Sequence, residues 1–69
     1  MSESDDKADV YFTDKYHGIM ASRYTNFVPA VGDRVSFLIG DETKAWKIIL
    51  RSWRYEKDRM SVHLFMEEI

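Results

Sequence analysis

Residues 45–59 read AWKIILRSWRYEKDR and hold both tryptophans of the chain, Trp46 and Trp53, seven positions apart. On a helix that spacing is two turns and puts both indoles on one face. On an unbroken strand it sends them to opposite faces. Taken alone, the segment fits either form. A helix over 41–57 would line up Trp46, Ile49, Leu50 and Trp53 at i, i+3, i+4 and i+7, with Lys44, Lys47, Arg51 and Arg54 opposite and Asp41 at the cap position.

The residues that follow break the tie. Between Tyr55 and Met60 lie four charged residues, Glu56-Lys57-Asp58-Arg59, which make a hairpin loop. Folding the chain there sets Trp53 opposite Val62 and Tyr55 beside Met60, while Ser52, Arg54, Ser61 and His63 share the other face. Met60, Val62, Leu64 and Met66 then alternate without interruption, whereas Trp46, Ile48 and Leu50 have the opposite parity to Trp53 and Tyr55. One extra residue in one strand is a β-bulge, and a bulge near Arg51-Ser52 would return all five of those residues to the core side. It would also add the twist and bend that a small closed sheet needs.

Outward from this ribbon the signals are of the same kind. Val35, Phe37 and Ile39 alternate with Arg34, Ser36 and Leu38 between Gly32-Asp33 and Gly40-Asp41, which marks a strand between turns. Val10–Tyr16 and the segment after His17-Gly18 read as a hairpin pairing Tyr16 with Ile19 and Phe12 with Arg23. Strands are thus expected at roughly 10–16, 19–26, 33–39, 44–55 and 60–68. The fold class is all-β: a small four- or five-stranded antiparallel barrel of the SH3-like or OB-like kind. The competing architecture is α+β, with one helix at 14–27 or 41–57.

The chain has 69 residues, so it forms one small domain with a limited core. Its four Phe, four Tyr, two Trp and four Met supply the apolar surface. Of the net charge of −2, residues 1–9 contribute −3 through Glu3, Asp5, Asp6 and Asp9 against Lys7, leaving +1 for the rest. That opening lacks apolar periodicity and reads as a disordered acidic tail, with residues 10–69 as the β domain. The absence of cysteine removes disulfides and thiolate zinc sites. With no signal-peptide pattern and no apolar run longer than three residues, the expectation is a cytoplasmic protein without membrane association.

Catalysis finds little support. Ser52 and His63 would be cross-strand neighbours, but no third group orients them and no glycine elbow surrounds either. The carboxylates gather in turns and at strand ends, where turn chemistry accounts for them. A metal site would require His17 and His63 to converge with Asp14 across forty-six positions of sequence, without ligand spacing. The glycines sit at turns and form no phosphate loop, so no cofactor is expected.

The surface carries more information. Segment 44–59 has Lys44, Lys47, Arg51, Arg54, Lys57 and Arg59 against Glu56 and Asp58, a balance of +4. The outward residues of the last two strands would bring Lys47, Ile49, Arg51, Arg54, His63 and Phe65 together as a binding face, with an apolar pair among basic groups. The alternative is that the N-terminal hairpin covers Ile49 and Phe65. The expected role is a non-enzymatic protein-interaction module whose partner is another protein or a copy of itself. The other reading is binding of single-stranded nucleic acid on aromatics beside basic groups, against which the acidic pI of about 5.6 argues.

Overall fold

The computed structural model describes residues 7–69, and these described residues form five strands and no helix: β1 (Ala8–Asp14), β2 (Gly18–Thr25), β3 (Arg34–Ile39), β4 (Glu42–Tyr55) and β5 (Met60–Glu68). They make a single sheet in the order β2-β1-β5-β4-β3. The β1–β2, β3–β4 and β4–β5 pairs are antiparallel hairpin partners, whereas β1 and β5, the two ends of the domain, run parallel. A fold read from hairpins alone is antiparallel throughout, and this long-range pairing is the one departure.

The turn chemistry is local. Gly40 has φ +66° and Asp41 keeps a negative φ, so the two-residue β3–β4 connection is a type II′ turn, the form with glycine first. At the first hairpin the turn lies one step earlier than expected. Asp14 Oδ2 accepts the N–H groups of Tyr16 (2.9 Å) and His17 (3.0 Å), and Gly18 takes φ +76° to start β2. The aspartate-led turn sets the register, so Phe12 faces Ala21 rather than Arg23, and a shift between Phe12 and Thr13 accommodates Met20.

The sheet curls into a half-barrel. Its inner side carries Ala8 and Val10 of β1, Trp46 and Ile48 of β4, and Val62, Leu64 and Met66 of β5, all buried. Phe12, Met20, Val28, Val35, Phe37 and Met60 pack against them. Phe37 meets Phe12 edge-on at 5.6 Å and Trp46 at 5.4 Å, so side chains of β3 and β1 touch across two intervening strands. The backbones of β2 and β3 stay apart, and the barrel is open on that side.

The tail expected at 1–9 overlaps β1. Ala8 is buried and Asp9 faces outward, so the strand alternation extends back past Val10. Positions 1–6 of that tail lie outside the described residues. Among the described residues no helix is long and apolar enough to cross a membrane.

Candidate functional site

The site grows from the bulge. Ile48 pairs with Met66, Leu50 with Phe65 and Arg51 with Leu64, so the extra residue is Ile49. The bulge therefore sits two residues earlier than the side-chain pattern suggested. From it on, Arg51, Trp53 and Tyr55 take the inner phase, opposite buried Leu64 and Val62 and half-buried Met60. Leu50, Ser52 and Arg54 take the outer phase. This corrects two sequence expectations: Leu50 is an outer, half-exposed residue rather than core, and Arg51 belongs to the inner side rather than the outer binding face.

Inner phase does not bring burial along the whole strand. The β3 ladder ends at Lys47, extended by a short contact in which Ile48 N donates to Asp33 O and Gly32 N to Ile48 O, each at 2.9 Å. Beyond Ile48 nothing described pairs with β4 on that side. Trp53 and Tyr55 are consequently 39% and 74% exposed. The expected shared interior holds for Trp46 and fails for Trp53. The rings of Trp53 and Tyr55 lie parallel with centroids 6.3 Å apart, and the Arg51 guanidinium sits 5.5 Å from the Trp53 ring. Arg51 is held there by a hydrogen bond to Pro29 O at 3.3 Å, from the loop that crosses between β2 and β3. Next to this loop, at the open side of the barrel, is a groove of about 620 Å³ lined by Phe12, Arg23, Phe27, Val28, Pro29 and Val35.

The outer face carries four of the six residues singled out from sequence. Lys47, Arg54, His63 and Phe65 share it, with Ile49 at the bulge beside them. Its middle is partly filled. His63 stacks on Tyr11 at 5.0 Å, and both His63 and Phe65 are half-buried, whereas Ile49 and Leu50 are exposed. Arg54 Nε lies 3.2 Å from Glu56 Oε2. Trp53 and Tyr55 were missed as surface residues because their pattern is that of a core. The available signal was the length of β4 relative to the short 33–39 strand, which leaves its second half without a neighbour.

Asp14 forms the other polar cluster. It is buried, and it accepts from the Trp46 indole on Oδ1 (2.7 Å) and from the His17 ring Nδ1 on Oδ2 (2.7 Å). Burial pushes its carboxyl up, but the Tyr16 N–H, the His17 ring, the Trp46 indole and the His17 N–H together bring it down to about 2. Oδ2 holds the first turn and Oδ1 holds the Trp46 indole, so the cluster serves as a clamp between the first turn and β4. His63 lies on the outer face, away from His17 and Asp14, and among the described residues no three His, Cys, Asp or Glu side chains gather as for a metal ion. Ser52 stands opposite His63 as expected, with the His63 ring engaged on Tyr11.

Compared with protein-family models, with curated proteins and with solved structures, the chain matches none.

Proposed function

We propose that this protein is a non-enzymatic interaction module that binds another protein, or a copy of itself, through the second half of β4. The observation that carries the reading is a stacked Trp53–Tyr55 pair left exposed along a strand with one side unpaired. Such an edge offers backbone hydrogen bonds to an added strand, and the aromatic rings offer anchoring area at low entropic cost. Arg51 is already fixed by Pro29 O and the Trp53 ring, so little side-chain freedom remains to be lost on binding. Lys47, Ile49, Arg54, His63 and Phe65 flank the same strand on its outer face and extend the surface to a basic rim. The proposed setting is cytoplasmic, and neither cofactor nor membrane enters the scheme.

The test is affinity capture from the native host with the intact domain, repeated with Trp53→Ala, Arg54→Glu and Phe65→Ala. A retained protein lost with Trp53→Ala supports the reading. If capture, self-association included, is indifferent to all three substitutions, the surface is wrong.

Parallel rings beside a guanidinium also favour a second reading, stacking of single-stranded bases on Trp53 and Tyr55. Titration with short oligonucleotides at rising salt separates the two. Phosphate contacts give a steep salt slope, and absence of binding at low salt removes this alternative.

A further inference from the structure

We infer that the partner of the β4 edge is a second copy of this chain, added as an antiparallel strand about a two-fold axis at Trp53. The inference rests on the interaction reading above and commits it to one occupant and one register.

The argument starts from which backbone groups are free. Ile48 directs its N–H and C=O to Asp33 and Gly32, toward β3. Glu56 N donates to Arg59 O at 2.8 Å across the last hairpin, toward β5. In an antiparallel ladder these directions alternate residue by residue, so Arg54 and Ser52 also address β5. Arg51, Trp53 and Tyr55 therefore turn both polar groups to the open edge. The bulge at Ile49 reconciles this phase with that of Ile48.

Two such edges can meet antiparallel in several registers, and only one uses all three free residues. It places Trp53 opposite Trp53 of the second copy, and Arg51 opposite Tyr55 in both directions. Each of these pairs exchanges two N–H···O bonds. A shift of two residues in one direction leaves Tyr55 facing the bulge, and in the other leaves Arg51 facing the 56–59 loop. Side chains agree with the same register. On the inner side it sets indole against indole and guanidinium against phenol. On the outer side Arg54 faces Ser52 and Glu56 faces Leu50, so no like charges stand opposite each other, and each Arg54 keeps its own Glu56.

The other exposed edges are poorer templates. β2 carries a register irregularity at Met20, and β2 and β3 each hold a single aromatic residue, Tyr24 and Phe37. The free run of β4 from Leu50 to Tyr55 carries two aromatic rings, Trp53 and Tyr55, stacked on one side.

The experiment has two arms on the intact 69-residue chain. Sedimentation from micromolar to millimolar concentration is expected to show a monomer–dimer equilibrium, weakened about a hundredfold by Trp53→Lys, which faces two ammonium groups across the axis. The second arm uses the absence of native cysteine. Ser52→Cys and Arg54→Cys chains, mixed and equilibrated with glutathione disulfide, are expected to cross-link as the mixed pair well above either like pair, because residues 52 and 54 are directly opposed. Circular dichroism confirms that each variant is folded, and Arg54→Cys with Ser52→Cys probes the register without touching Trp53. A chain that stays monomeric throughout overturns the second-copy inference, and so does a dimer with no excess of the mixed pair. If that monomeric chain still captures another protein in a Trp53-dependent way, the interaction reading stands without it. If it captures none, both fall.

Discussion

The indole N–H of Trp46 donates to Oδ1 of Asp14 at 2.7 Å inside the half-barrel, joining residues thirty-two positions apart in sequence. The same carboxylate closes the β1–β2 turn through Tyr16 and His17. One side chain thereby couples the N-terminal hairpin to the strand that carries the exposed aromatics. Trp46→Phe keeps most of the ring and removes the donor, leaving a buried acceptor short of one partner. The expected loss is about 1–3 kcal/mol, read as a lower urea midpoint with an unchanged slope.

The pH dependence follows from the same group. The Asp14 carboxyl is held at about 2 in the fold, against roughly 3.9 in an unfolded chain. Its contribution is therefore complete above about pH 4 and disappears as pH falls toward about 2. Thermal melts between pH 7 and 2 should show the steepest decline in that window. Asp14→Asn should start lower at pH 7 and decline less, and a parallel curve for the variant would remove Asp14 from the account.

The bulge makes a prediction about deletions. Removing Ile49 turns β4 into a regular ladder and leaves Trp46, Ile48, Arg51 and Trp53 in their present phases. Removing Ser52 inverts Trp53 and Tyr55 to the outer face. The Ile49 deletion should fold, with reduced sheet twist. The Ser52 deletion should melt lower, and Trp53→Phe variants of each, which leave only Trp46 emitting, would report whether the core indole is still shielded.

Phe37 tests the curl. Its ring bridges Phe12 and Trp46 from a strand that makes no backbone contact with β1. Phe37→Ala should cost about 2 kcal/mol, short of the ~3–5 kcal/mol of a fully buried Phe→Ala because Phe37 is half-exposed. Hydrogen exchange should quicken in β3 before it does in β5.

Core and surface along β4 should separate cleanly. Ile48→Ala removes a fully buried side chain and should cost about 2–5 kcal/mol in urea unfolding. Arg54→Glu breaks only an exposed ion pair and should change stability by less than about 1 kcal/mol. The contrast is useful for reading binding data, since a loss of capture with Arg54→Glu then reports the surface and not unfolding.

Much of this was legible in residue order. Alternation in 33–39 and 60–66, the charged loop between Tyr55 and Met60 and the phase slip between the tryptophans specify strands, a hairpin and a bulge. These are local properties: side chains alternate with period two, and a hairpin's register follows from its turn. Trp53↔Val62 and Tyr55↔Met60 stand as the pattern requires. The bulge was displaced to Ile49 because Ile49 and Leu50 are both apolar, and hydropathy does not distinguish which of them faces out.

What tertiary structure alone decided is where the inner face has a lid. The parallel β1–β5 pairing joins the ends of the domain, and nothing local encodes a contact of that separation. It brings Asp14 to Trp46, while the short β3 flanks β4 only as far as Ile48. Burial depends on what lies across from a face as well as on the face itself. Trp46 and Trp53 thus share a strand and a side, yet one is core and the other is surface.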